Sequence, residues 1–304
     1  MTAIERYVTK NPMRVEARRS FRKFIGMGKV TQAAVRRGAT LLGLMYIVLM
    51  CIFLYLAQYI PPVVSTNLEI FGLLATGTIG FYSAVSGERE RRTWDVLRAL
   101  PITNGQIIGG KFLGGAAVIG LVWLALLPYT LINALIYDES SIRLYYSAGN
   151  LAAVAQTSKL GAWVLDSLIT LMVGLFALGL TLLLSTRVKR SISALGISLG
   201  TIFVWIALLP SLLGGLLSFD RSGEILTEAS GNPFLVVSMI HRLTDTHSNS
   251  ASSDFYIPPS VIVIASLVYV LVLAALTLVF IVWADRTLTF AEDQVEFIRR
   301  KDNA

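Results

Sequence analysis

The chain has 304 residues, 55% of them hydrophobic and only 15% charged, with a mean hydropathy of +0.67. A soluble globular chain carries about 25% charged residues, so the composition points to lipid and excludes disordered, collagen-like and disulfide-scaffold classes. The single cysteine, Cys51, sits in an apolar block and offers neither an intramolecular disulfide nor a cysteine metal site.

Pro12 suits the first turn of a helix running to about Ile25. Met13, Ala17, Phe21, Phe24 and Ile25 recur near the 3.6-residue period, and Arg14, Arg18, Arg19, Arg22 and Lys23 hold the opposite face. This pattern predicts an interfacial helix, its apolar side in acyl chains and its guanidinium groups among phosphates. The first 30 residues contain no continuous apolar h-region of a secretory signal, so the first span serves as the membrane-targeting element.

About 20 mostly apolar residues are needed to cross roughly 30 Å of hydrocarbon. Six windows qualify, at about 39–60, 68–86, 112–137, 161–185, 192–218 and 260–284. The expected fold is therefore all-α, a polytopic membrane protein with six transmembrane helices and both termini on one side. Of the 26 Lys and Arg residues, 22 fall in 1–38, 88–111, 186–191 and the segment after 284, leaving Arg143, Lys159, Arg221 and Arg242 on the other side. Basic residues near span ends stay in the cytoplasm. The organisation is thus a cytoplasmic basic N-terminus over 1–38, a six-span domain over 39–284 and a cytoplasmic tail over 285–304, in the plasma (inner) membrane. Topology accounts for the net charge of +7, so no nucleic-acid partner is expected.

Gly72, Gly77 and Gly80 in the second span, and Gly114, Gly115 and Gly120 in the third, predict close helix packing. Asp166 is the one carboxylate well inside a predicted span, near the outer N-terminus of the fourth helix. The helix dipole and interfacial water suit a carboxylate there, and an ionisable group at that depth is also a candidate cavity residue. The outer loops, 138–160 and 219–259, hold seven acids and both histidines. His241 and His247 are six residues apart, without helical spacing or a third ligand, so no metal is expected. Within the second loop, Gly231 to Ile240 predicts a short amphipathic helix against the outer membrane face. No paired acids or nucleophile clusters are seen at membrane depth, which argues against an intramembrane enzyme.

The segment between the second and third spans, about 87–111, is too charged for lipid. Trp94, Leu97 and Leu100 line one side of a short helix that Pro101 ends. Gly105, Gly110 and Lys111 satisfy the start of a phosphate-binding loop, but Phe112 stands where Ser or Thr must hold Mg²⁺, and the match runs into a span. Nucleotide chemistry is therefore expected on another polypeptide.

The run Glu88-x-Glu90-x-x-Thr93-Trp94-Asp95-x-Leu97, followed by Leu100-Pro101-Ile102-Thr103 and Gly110-Lys111, resembles the signature of type-2 ABC exporter permeases. NPMRVEARRSF, Asn11 to Phe21, is similar to the opening of that family. Arg92 departs from the family's usual glycine and Asp95 from its usual glutamate. The resemblance implies a transport subunit rather than an enzyme, paired with a second permease copy or paralogue, with ATP and Mg²⁺ held by a separate ABC ATPase and no cofactor on this chain. It implies further that Glu88, Glu90, Thr93, Trp94, Asp95, Leu97 and Pro101, together with the interfacial helix, couple the ATPase to the spans. The alternative is a non-transporting membrane anchor that recruits an ATPase partner.

Overall fold

The computed structural model describes residues 11–24, 46–48, 50–52, 55, 60–98, 102–136, 159–208, 232–234, 236, 237, 240 and 259–302. Among them every regular element is a helix. These are α1 (Pro12–Phe24), α2 (Pro62–Ile79), α3 (Ser86–Glu90), α4 (Thr93–Arg98), α5 (Asn104–Ile136), α6 (Lys159–Arg187), α7 (Ser191–Phe203, running into a π turn over Val204–Leu208) and α8 (Pro259–Asp302). Three stretches, Asn104–Ile136, Leu160–Arg187 and Val263–Leu288, are long and apolar enough to cross a membrane, and Ser191–Ile206 is a shorter apolar helix.

Much of the predicted first span and most of both outer loops lie outside the described residues. From the described part of that span, the Tyr46 hydroxyl donates to the Ala125 carbonyl of α5 at 2.6 Å. The second span begins six residues earlier than the hydropathy window placed it, because Pro62 takes the first helical position behind an extended Pro61. It also ends earlier, at Ile79, with Gly80 as C-cap. The last helix keeps going where a span was expected to stop: its 44 residues extend roughly 66 Å at 1.5 Å per residue, about twice the hydrocarbon thickness.

The bundle is organised around α6. Of its apolar window 72% is buried, against 28% for α5 and 22% for α8, so α6 is the most enclosed of the three and the other two leave most of their apolar windows exposed. One side of α6, through Ile169, Val173 and Ala177, packs with Ile70 and Leu74 of α2 and Leu273 of α8. Another, through Leu178 and Leu182, meets Leu73, Phe81, Val118 and Ile119. Leu113, Leu121 and Leu124 of α5 and Leu271 and Leu278 of α8 remain exposed, as lipid-facing residues do.

Two expectations about surface helices change. The apolar side of α1 faces α5 instead of acyl chains: a Cβ on Gly114 would lie 2.7 Å from the Ala17 carbonyl oxygen and 2.8 Å from the Ser20 Cβ. Small residues on α5 thus let the two backbones meet. The helix predicted at Gly231 to Ile240 buries Val236, Val237 and Ile240 in the main core. Asn232 fixes it by donating to the Ile206 carbonyl at 2.9 Å, while its own side-chain oxygen accepts from the Phe234 N–H at 2.9 Å.

Candidate functional site

At one end of the bundle, α1, α3 and the start of α5 converge on a buried ionic cluster. Lys111 lies one residue past two glycines of α5, and its ammonium is 2.8 Å from Glu88 Oε1 and 3.2 Å from Glu16 Oε1. Arg19 adds contacts of 3.5 Å to Glu16 and 4.0 Å to Glu88. Glu16, Glu88 and Lys111 are 1%, 5% and 3% exposed. Charges so deep persist only when paired, and two carboxylates against two cations leave the cluster neutral. Gly110 makes room for it, since a Cβ there would come within 2.7 Å of the Glu16 Cβ. The glycine-lysine pair that mimics a nucleotide loop in the sequence therefore serves a carboxylate of the same chain.

Beyond Glu88 the chain turns a corner. The N–H groups of Val85 and Ser86 both donate to Ser185 Oγ of α6 at 3.0 Å, satisfying the start of α3. Arg89 donates to the Thr186 carbonyl at 2.7 Å, placing a cation at the C-terminal end of α6, and its guanidinium carbon lies 5.7 Å from the centre of the Trp94 ring. The Glu90 carboxylate accepts from the N–H and hydroxyl of Ser191 at 2.9 and 2.7 Å, capping α7. These hydrogen bonds, first the hydroxyl and then the backbone one, hold Glu90 below the ordinary carboxylate value of 4.5, with Arg190 and Arg91 assisting. Arg92 has φ of 55°, alone in that region among the described non-glycine residues. The corner requires a left-handed residue, which is a physical reason for glycine at this position.

The predicted coupling residues divide by exposure. Glu90 and Thr93 face outward, as do Arg91 and Arg92 between them, with the Thr93 hydroxyl donating to the Glu88 carbonyl at 3.2 Å, while Glu88 itself is buried in the ionic cluster. Trp94 and Leu97, expected to offer an apolar stripe to a partner, are 6% and 4% exposed and pack with Val85, Ile107, Ile108, Leu183, Ala284 and Leu288. Their stripe braces α4 against α5, α6 and α8. Pro101 and the side chain of Asp95 lie outside the described residues. On α1, Arg14, Arg18, Arg19 and Arg22 are exposed, and Phe21 is half-buried against the Leu178 and Leu182 cluster. Sequence reasoning missed Glu16 and Lys111, although a lone glutamate in a run of arginines and a lysine entering a span were both visible signals.

Toward the other end, Asp166 of α6 and Glu69 of α2 are both buried. The early start of α2 carries Glu69 two turns into that helix. Around them, Ser65 donates to Asn133 Oδ1 at 2.7 Å, Asn133 to the Ile60 carbonyl at 2.9 Å, and the Trp163 indole to Thr130 Oγ1 at 3.1 Å. His241 and His247 lie outside the described residues.

No match is found among curated proteins. A family model described as ABC-2 family transporter protein matches residues 23–286. That stretch contains the ionic cluster's Glu88 and Lys111, the outward corner, the apolar helices Asn104–Ile136 and Leu160–Arg187, and all but the end of Val263–Leu288. An apolar helical bundle with a braced, charged end agrees with that match, and the chain belongs to the ABC-2 family of transporter proteins.

Proposed function

We propose that the chain is the membrane subunit of an ATP-driven exporter, with its charged end in the cytoplasm and an ABC ATPase seated on the corner at Glu90 to Thr93. The observation that carries this reading is the contrast at that corner: four exposed polar residues stand directly on Trp94 and Leu97, which are buried among α5, α6 and α8. A displacement applied there reaches three apolar helices through packed side chains, and reaches α7 through Glu90 and Ser191. ATP binding shifts an inward-outward equilibrium only if the ATPase contacts the two states differently, and a rigid exposed corner supplies such a contact. The clustering of 22 of the 26 Lys and Arg residues on one predicted side supports the orientation. A second permease copy or paralogue completes the pathway in the inner membrane, ATP and Mg²⁺ are bound by the ATPase subunits, and sparse charge in the spans favours an amphipathic or lipidic cargo.

The test is affinity purification of the tagged chain in mild detergent, with identification of what accompanies it and assay of ATP hydrolysis. A stoichiometric P-loop ATPase, weakened by Arg91→Glu at the exposed corner, is the expected result. A well-folded preparation without a nucleotide-binding partner refutes the reading.

A further inference from the structure

The buried cluster around Lys111 joins parts of the chain that are far apart in sequence. Glu16 belongs to α1 and Glu88 to α3, with the first two predicted spans between them, and Lys111 opens the next span. Each carboxylate is buried, and the Lys111 ammonium makes the shortest ionic contact to each, with Arg19 farther out. Packing alone does not explain a lysine here: the glycines at 109, 110 and 114 already admit Met13, Glu16, Ala17 and Ser20 against α5, and an apolar side chain at 111 would continue the helix equally well.

We propose that Lys111 is a positioning residue for coupling: its ammonium, held between Glu16 and Glu88, locks the N-terminal helix and the exposed corner into one docking face on α5. This rests on the reading of that corner as the ATPase contact. Ion pairing supplies what glycine packing cannot, because a groove lined by small residues permits sliding along the helix whereas two short contacts to one nitrogen fix the register. Arg19, partly exposed at 46%, closes the cluster on its solvent side.

Two readouts on the full chain in nanodiscs separate the proposal from the functional reading beneath it. The first is independent of any ATPase. Among the described residues the three atoms nearest to a Cβ at Gly109 all belong to Met13, so Met13→Cys with Gly109→Cys, in a Cys51→Ser background, reports α1 register by its rate of disulfide formation. The second is stimulation of the ATPase subunit that co-purifies with the chain. Lys111→Met tests the latch directly but leaves two buried carboxylates and risks misfolding. The neutral triple variant Glu16→Gln, Lys111→Met, Glu88→Gln removes all three charges together, a change buried ionic clusters tolerate. In the triple variant both the cross-linking rate and the stimulation should fall by about tenfold, in the range of ordinary coupling energies. Wild-type values of both in a folded triple variant overturn the proposal. A cross-linking rate that falls while stimulation stays at wild type also overturns it, because register would then not matter to coupling. A wild-type chain that stimulates no ATPase overturns the coupling role itself, and the cross-link then reports a tie within the fold alone.

Discussion

Two glycines of α5 give a quantitative test of how α1 is seated. At Gly114 an added Cβ would lie 2.7 Å from a backbone oxygen of α1 and 2.8 Å from the Ser20 Cβ, whereas at Gly120 nothing among the described residues lies within 4 Å. Ordinary contact begins near 3.4 Å, so Gly114→Ala requires α1 to retreat by about 0.7 Å, and overpacking of this kind costs about 1–3 kcal/mol. Both substitutions gain the same helix propensity, about 1 kcal/mol for alanine over glycine, so that contribution cancels between them. The remaining difference of about 1–3 kcal/mol corresponds to roughly 5- to 150-fold in an opening equilibrium. Amide hydrogen exchange over residues 15–22 measures it locally. Exchange in Gly114→Ala should exceed that in Gly120→Ala by that factor. Equal protection in the two variants would show that α1 does not rest on Gly114.

Trp94→Ala should cost about 3–5 kcal/mol as a large-to-small change in a closed core, and Thr93→Ala, at the exposed end of the same helix, about 1 kcal/mol for one hydrogen bond; similar thermal midpoints for the two would contradict the buried placement of Trp94. Arg92 stands where φ is positive, so Arg92→Val should lower the midpoint by about 1 kcal/mol or more while Arg92→Gly holds or raises it. Valine indistinguishable from arginine would mean that the corner has another backbone. Because Glu90 is held below 4.5 by Ser191, its cap on α7 contributes above that pH and is lost as pH falls through the lowered value. Intrinsic-rate-corrected exchange at the start of α7 should be flat from about pH 5 to 8 and rise only in stronger acid, with the rise absent in Glu90→Gln; a rise beginning near neutrality would exclude the cap.

Much of this arrangement was legible from residue pattern. Periodicity and Pro12 placed α1, and hydropathy found the long helices, because lipid-crossing segments announce themselves by length and lack of charge. The charged insertion after the second span and the buried role of small residues at Gly77, whose Cβ would lie 3.0 Å from the Gly174 carbonyl, follow from composition as well. What escaped was partner choice. Met13, Ala17 and Phe21 form an apolar stripe whether they meet acyl chains or a glycine-lined helix, and Trp94 with Leu97 would look the same facing an ATPase as facing Leu183 and Leu288. Glu16 and Lys111 are unremarkable apart and become a site only when folding brings α1 onto α5. Glu69 stands at the edge of the predicted 68–86 window and lies two turns inside α2, because the proline pair begins the helix.

The central claim is that the exposed corner between α3 and α4 touches an ATPase, and site-specific photo-cross-linking measures this most directly. A photoreactive residue at position 93, exposed at the corner, is compared with one at position 121, on the lipid-facing side of α5, in the purified complex. An adduct with the P-loop ATPase is expected from position 93 and none from position 121. An intact complex that gives no ATPase adduct from position 93 would contradict it.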